Sequence, residues 1–560
     1  MYIKEARISG FKRFSHLRVQ LGPSINIIVG DNDSGKSTLL EAIVAVANGQ
    51  YRGVSLFRNL SEDLFNKNLV SNYLEKLNSH QRCEPPEIRI EVVFGGNDEE
   101  LALYEGDCNS RGAIESGILL RIALDEDTYS EEYQEFVNSD EHYGIPIEYY
   151  GCFWTSFARK AIRPAGIKFG ASLISGGNLS NWSSSRVMVS RIARNVLDLN
   201  DQIAMSQIYR RLRNDFSDDQ IVSRINDKIT EATDSLTRKT VKLGFEANTV
   251  SSWENGIVTM LGDIPFANVG DGTKSIVGTE LALSKSKDRN KDVILLEEPE
   301  NHLSHTKLNM LLDDVKKRCE NIQLVVTTHS SFVANKMELR NLILLNGDSS
   351  TSLSSLHEST SRFFMKAPGY KTLRVLLCDV AILVEGDADE LIVQRAYMDT
   401  HGGKLPIQDG IDVVSVGTSA PRFLEMAGLV GRDVVALTDN DGNIAKLEKR
   451  YRDYPCVSSA GQNAHQVVSY PERLLPVGSV DEVNYNTLES EINNSAGAVM
   501  LGHILNRDVN DRDEALKYME THKTEVALEI FDAKESIRYP EYITRAIDWS
   551  FNKIGMRNDA

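Results

Sequence analysis

Two sets of residues in this chain have the types and spacing to handle phosphate oxygens. The first is "GDNDSGKS" at 30–37, a match to G-x-x-x-x-G-K-[ST]. It follows an apolar run, "SINIIV" (24–29), and precedes "TLLEAIVAVA" (38–47). A glycine-rich loop between a strand and a helix points backbone N–H groups at phosphates, and the helix N-terminus adds its dipole. Gly30, Asn32, Ser34, Gly35 and Thr38 would then line ATP, Lys36 would reach its β- and γ-phosphates, and Ser37 would hold Mg²⁺. The second set is carried by "AILVEGDADE" (381–390) and "VVALTDNDGN" (434–443), two apolar runs that stop on acids. Glu385 and Asp389 follow the first, Asp439 and Asp441 the second. Residues i and i+2 of a strand share a face. Acids just past its end can converge, and convergent carboxylates need a partner such as a hard divalent cation. Asp, Asn and Gly are also common turn residues, so a solvated turn is the competing reading of 439–442.

The first site needs acids from a distant strand. "DVILLEEPENHLSH" (292–305) supplies them. Glu297 would assist Mg²⁺ through water, and Glu298 would position or deprotonate the attacking water. The next apolar run, "LVVTT", leads to His329, placed to sense the γ-phosphate. Taken singly, His329 reads better as a satisfied core histidine; after this pair of strands the γ-phosphate reading leads.

This layout resembles the ATP-binding-cassette head of RecF, SMC and related proteins. "ISGFKRF" near the start is similar to their opening strand and turn, and "NVGDGTKS" (268–275) stands at the place of their signature loop. Gly270, Gly272 and Lys274 are its candidate contacts. In those families the loop completes the ATP site of the opposite subunit, so the resemblance implies a homodimer or higher homo-oligomer through the ATPase domain. The loop is degenerate here, and the first acid is Glu rather than the usual Asp; both bear on ATP turnover. No long heptad segment is present, which excludes an SMC-like coiled coil.

The strand-end Glu385, the Gly386 after it and the later D-x-D resemble the Toprim domain of topoisomerases, primases and certain nucleases. The resemblance implies a parallel sheet whose strands deliver their loops to one crevice. There Glu385, Asp389, Asp439 and Asp441 would bind one or two Mg²⁺ or Mn²⁺ ions. Two such ions about 4 Å apart would stabilise the attacking and leaving oxygens of a phosphodiester. An ATPase head followed by a Toprim domain resembles the OLD (overcoming lysogenisation defect) nucleases. "YNTLESEI" (485–492) then makes Glu489 a further metal ligand, and "HKTEVA" (522–527) makes Lys523 a group that stabilises charge on the scissile phosphate. Each could instead be a surface helix charge. "RYPEYITRAIDWSF" (538–551) is similar to the family's C-terminus.

The implied activity is a metal-dependent endonuclease on double-stranded DNA, gated by ATP and serving bacterial defence against phage. Such nucleases act alone, beside a helicase as in Gabija systems, or with a retron reverse transcriptase and its RNA–DNA product. A topoisomerase would need a nucleophilic tyrosine, and none of the nineteen is singled out by context. A Toprim primase usually brings a zinc module, and the six cysteines include no C-x-x-C pair. A RecF-like ATP-dependent DNA-repair or DNA-structural protein with an inactive Toprim domain is the alternative of a different class.

The elements that must position these residues fit a chain of 560 residues, long enough for three to five domains at roughly 100–200 residues each. The expected fold is α/β: an ABC/RecF/SMC-like ATPase domain with a helical insertion, then a Rossmann-like Toprim domain with a parallel sheet. The expected segments are 1–150 and 251–350 for the two parts of the ATPase, 151–250 for a basic and helical insertion serving dimerisation, and 370–560 for the nuclease domain. The Ser/Thr-rich stretch 346–361 reads as a surface connection between them. Scattered cysteines fit a reducing cytoplasm, and no apolar run of about 18 residues suggests a membrane span. A net charge of −18 argues against a surface that coats nucleic acid indiscriminately. The charge is uneven. Residues 98–148 hold fifteen acids against Arg111 and Arg121, while 149–197 hold no acid and seven basic residues: Arg159, Lys160, Arg163, Lys168, Arg186, Arg191 and Arg194. Either the two stretches neutralise each other or the second faces phosphates.

Overall fold

The computed structural model describes residues 1–97, 99–139, 142–175, 197–233, 243, 253, 257–285, 293–320, 322–367, 371–461, 463–472, 487–507 and 512–558. The chain divides into two compact units, Met1–Asn26 with Gly35–Thr328, and Ile27–Ser34 with His329–Ala560.

The first unit holds an antiparallel sheet in which Phe14–Gln20, Tyr2–Phe11, Ile88–Gly95, Glu115–Leu124 and Tyr150–Ser156 pair in that order. It also holds three parallel strands, Ala171–Ser175, Val293–Glu297 and Leu324–Thr327. The last two are short and apolar, as strands covered on both faces should be. Gln323 ties the two groups together: its amide nitrogen donates to the carbonyls of Ile3 and Gly22, and its oxygen accepts from Ile3 N–H at 2.8 Å. A buried polar side chain is retained when its bonds are made in this way. Helix Lys36–Asn48 is buried on most of its surface, which explains its run of Ala, Val, Leu and Ile.

The expected helical insertion is present as Leu199–Asp218 and Gln220–Thr233. Asp198 and Asp201 form a capping box that starts the first of these. Residues 186–196 and 234–242 of that stretch lie outside the described residues. Two of the seven basic residues meet the acidic stretch: Arg159 pairs with Asp107 at 3.1 Å and Lys168 with Glu100 at 3.3 Å. For these two, neutralisation is the observed role. Arg186, Arg191 and Arg194 lie outside the described residues.

In the second unit, Ile27–Val29 pair in parallel with Leu342–Leu344. The stretch 346–361 is more regular than expected of a loose connection. Strand Leu342–Asn346 turns through Gly347 and Asp348 into Ser349–Ser352, and helix Glu358–Lys366 begins soon after. Gly347 has φ 59°, a left-handed conformation that a two-residue hairpin turn requires and that glycine adopts without strain. Serine and threonine here sit on an edge strand with half-exposed side chains, so composition alone reads as a loop.

The remainder of this unit is built on four parallel strands in the spatial order Ile411–Ser415, Val380–Val384, Asp433–Leu437, Gln466–Ser469. From Val380–Val384 the chain crosses to one side through helix Asp387–Thr400. It then reaches the other side through helix Ala420–Leu429. Right-handed crossovers in opposite directions open a crevice between the two central strands, at their C-terminal ends. Helices Leu488–Ala496, Lys523–Asp532 and Glu541–Asn558 contribute to one continuous core with the sheet, through Ile492, Val526, Ile530, Ile543 and Ile547. No described helix is long and apolar enough to cross a membrane.

Ile382 lies fully buried at the centre of this core. Ile382→Ala is expected to cost about 2–5 kcal/mol, read as a lower urea midpoint for the transition of this unit. A loss below about 1 kcal/mol would mean that the sheet does not carry its stability.

Candidate functional site

The nucleotide-loop residues occupy a strand-to-helix turn. Strand Ile25–Val29 ends at Gly30, and Gly35 stands immediately before helix Lys36–Asn48. Gly35 has φ 95°, and a Cβ there would lie 2.2 Å from Phe14 Cζ, so both conformation and space demand glycine. Ser34 N–H donates to Asp31 O at 3.0 Å and tightens the loop. Gly30, Ser34, Gly35 and Lys36 are buried, Thr38 is half-buried, and Asn32 and Ser37 are exposed.

Glu297 ends strand Val293–Glu297, and the chain turns at once: Glu298 has φ 44° and donates its N–H to Thr327 O at 2.9 Å. Asn301 Nδ2 donates to Glu298 Oε2 at 2.7 Å, which fixes the direction of that carboxylate. Gly270, Gly272 and Lys274 lie at the start of helix Asp271–Lys285. A Cβ on Gly272 would lie 2.3 Å from His302 O, so this helix start packs closely on the loop after Glu298. Lys274 is buried and paired with Asp271 at 3.3 Å. His329, in the second unit, is exposed.

The acid set forms at the sheet crevice of the second unit. Glu385 directly follows strand Val380–Val384, and Thr438 Oγ1, just past the neighbouring strand, donates to Glu385 Oε1 at 2.5 Å. Asp389 sits in the first turn of helix Asp387–Thr400 and accepts from Gly386 N–H at 3.0 Å. Asp439 Oδ2 accepts from Leu488 N–H at 3.0 Å, which brings the start of helix Leu488–Ala496, and Glu489 with it, to the same place. Lys523 Nζ reaches Glu489 Oε1 at 3.0 Å from the start of its own helix.

The D-x-D pair divides. Asn440 Oδ1 accepts from Gly442 N–H at 3.0 Å, and Asp441 has φ 46°, so 439–442 is an Asx turn. Asp439 points into the acidic set, whereas Asp441 is exposed on the turn. The turn reading of this stretch holds for Asp441, while Asp439 faces the other acids.

Burial pushes the Asp389 carboxyl up to about 6, with Glu385 and Glu489 adding to it and the Gly386 N–H opposing. Burial raises Asp439 well above the ordinary carboxylate range, reinforced by Asp389, Glu385 and Glu489. Burial works against the Lys523 ammonium, but Glu489, with Asp439 and Asp389 beyond it, outweighs this and raises its pKa. Four carboxyl groups with one ammonium among them are short of positive charge in a low-dielectric place, and the raised pKa values of Asp389 and Asp439 are the result. Glu489 Oε2 is buried without a hydrogen-bond partner. As placed, no three Asp, Glu, His or Cys side chains among the described residues already enclose a metal. Each carboxylate is turned toward a protein donor instead. The donor set is nonetheless all oxygen, anionic and short of cations, which fits Mg²⁺ or Mn²⁺.

Comparison with known proteins agrees with both halves. An AAA-domain family matches residues 5–331, more than half of the chain. A second family, described as overcoming lysogenization defect protein-like, TOPRIM domain, matches residues 376–441. The chain belongs to the AAA-domain family and carries an OLD-like Toprim domain. That is the OLD architecture, with the α/β ATPase first and the parallel-sheet domain at the C-terminus. A segment of 63 residues is 41% identical to the DNA replication and repair protein RecF of Idiomarina loihiensis; it covers 11% of this chain and only 18% of that protein. Among solved structures, the SMC head domain from Thermotoga maritima is 15% identical, covering 62% of this chain and 97% of that one at a TM-score of 0.27. RecF-ATP of the RecFOR pathway is 12% identical, covering 63% and 97% at a TM-score of 0.32.

Sequence reasoning on this OLD-like domain missed Tyr542. Its fully buried hydroxyl lies 3.4 Å from Asp439 Oδ1, and burial followed by the charges of Asp439, Asp389 and Glu491 raises its pKa. Ser469 Oγ donates to Tyr542 O at 2.6 Å and locks its backbone to the last strand. The sequence signal was weak, one tyrosine among nineteen, more than a hundred residues after Asp439. Thr438 lay inside the quoted stretch, but only the parallel pairing of the two strands shows that it meets Glu385.

A carboxyl whose pKa is raised on folding contributes stability below its unfolded pKa and loses it as pH rises through the folded value. For Asp389 that window runs from about 4 to about 6. In metal-free protein, Asp389→Asn should therefore gain melting temperature over the wild type as pH rises from 4 to 7, and added Mn²⁺ should shrink the gain. A difference that is flat with pH would contradict the buried-acid geometry.

Proposed function

We propose that the protein is an ATP-binding, divalent-metal-dependent DNA endonuclease. The observation that supports it best is the convergence of Glu385, Asp389, Asp439 and Glu489 at the switch point of an OLD-like Toprim sheet. These four residues would hold one or two Mg²⁺ or Mn²⁺ ions, with Asp441 available from the turn beside them. Bound there, the ions supply Lewis-acid stabilisation of the attacking and leaving oxygens of a phosphodiester. The chain's own residues do the rest. Thr438 and Leu488 N–H orient Glu385 and Asp439, Tyr542 closes the far side of Asp439, and Lys523 carries positive charge for the scissile phosphate.

In this reading the AAA domain gates the nuclease. Lys36 and Ser37 bind ATP and Mg²⁺, Glu297, Glu298 and His329 govern its turnover, and Gly270, Gly272 and Lys274 meet a second copy of the chain. ATP state then controls access of double-stranded DNA to the acidic centre. The biological role would be defence against phage in the cytoplasm, alone or with a helicase or a retron reverse transcriptase and its RNA–DNA. The RecF segment supports a second reading, an ATP-dependent DNA-repair or DNA-structural protein in which the Toprim domain binds metal without cutting.

Supercoiled plasmid with Mg²⁺ or Mn²⁺ separates the two. Nicking or linearisation by the wild type, lost in both Glu385→Ala and Asp439→Ala, is the expected result. No cutting under either metal, with or without ATP, favours the RecF-like reading. For gating, the wild type should change its cutting rate across an ATP titration while Lys36→Ala stays flat. An identical response in both would remove ATP from the control of the nuclease.

A further inference from the structure

Close to Lys523 the second unit carries a layered group of side chains that the acidic centre leaves unused. The Arg507 guanidinium lies 3.8 Å from the centre of the Tyr518 ring. The His522 imidazole stacks on the same ring, with centroids 4.3 Å apart and planes at 24°. Two groups so close to one ring centre must take its opposite faces, so the tyrosine is sandwiched. His522 Nδ1 lies 3.1 Å from Tyr518 O, and the backbones carrying the layers are bonded locally, His522 N–H to Tyr518 O at 3.0 Å and Arg507 N–H to Gly502 O at 2.9 Å. His522 directly precedes helix Lys523–Asp532, whose first residue touches Glu489. The stack and the acidic centre are thus joined through adjacent residues.

Arg507 is exposed, and its guanidinium has no carboxylate within ion-pair distance among the described residues. Four other arginines of this unit, Arg362, Arg374, Arg395 and Arg545, are instead paired with Glu358, Asp412, Asp399 and Glu472; Arg422 also lies over a ring, that of Phe363, but away from Lys523 in the sequence. A cation held flat on an aromatic ring keeps its N–H edges open and has already lost most of its rotamer freedom. That is the preparation suited to the planar, two-point recognition of a phosphate.

We propose that Arg507, held over the face of Tyr518 opposite His522, contacts the phosphate backbone of DNA beside the acidic centre. The proposal rests on the nuclease reading above and adds a substrate contact to it. The contact is sequence-independent and serves to position the strand.

The test uses full-length protein, a labelled DNA duplex and Ca²⁺ in place of Mg²⁺, with affinity read by fluorescence anisotropy over a range of salt. Arg507→Ala should raise Kd about 3- to 10-fold and lower the slope of log K against log salt by about one. Arg507→Lys should keep the slope and lose part of the affinity, because charge remains and the planar fork does not. Arg362→Ala, which removes an exposed arginine already paired with Glu358, should match the wild type. Arg507→Ala with wild-type Kd and slope, in a protein that binds and cuts DNA, overturns this contact and leaves the nuclease standing. A wild type that neither binds nor cuts DNA overturns both.

Discussion

The mutual repulsion of buried carboxylates at one end of a parallel sheet is the constraint around which the second unit is arranged. Glu385, Asp389, Asp439 and Glu489 come from three separate stretches of chain, and burial first, then their charges on one another, raises the pKa of Asp389 and Asp439. Bringing such charges out of water is unfavourable unless a cation joins them. Lys523 offsets part of the charge through Glu489. The remainder is what supports the proposed divalent-metal centre, and the proposed nuclease reading rests on it rather than on the fold alone.

The surrounding structure consists of the means to hold that repulsion in place. Parallel pairing of Val380–Val384 with Asp433–Leu437 fixes Glu385 beside Thr438. The helix beginning at Leu488 turns a backbone N–H onto Asp439, and the C-terminal helix brings the Tyr542 hydroxyl toward its other oxygen. The largely apolar core beneath makes the arrangement rigid. In the first unit the demands are different. A phosphate loop needs backbone N–H groups and space, so Gly35 sits under Phe14 and buried hydrophobic residues pack helix Lys36–Asn48 behind it.

Much of this was legible in the sequence because the informative signals are local. "SINIIV" before the glycine loop, "DVILLEE" and "VVALTD" each combine an apolar run with a chemical terminus, and each is a strand that ends where its acids or glycines begin. Glu489 and Lys523, individually open to a surface reading, meet at 3.0 Å because two helices far apart in sequence start at the same crevice. What stayed illegible depends on tertiary contact. Asp439 and Asp441 look equivalent in sequence, yet the Asx bond from Gly442 to Asn440 sends them to different surroundings. Tyr542 has no local mark at all. The serine-rich 346–361 stretch hid a strand, since edge strands with half-exposed small residues lack the apolar alternation by which strands are read.

The most direct measurement is calorimetric titration of Mn²⁺ into ATP-free, full-length protein, with Asp439→Asn and Asp441→Asn run beside it. Binding of one or two ions per chain, abolished by Asp439→Asn and merely weakened by Asp441→Asn, is the result this account predicts. Mn²⁺ binding that survives Asp439→Asn unchanged would contradict it.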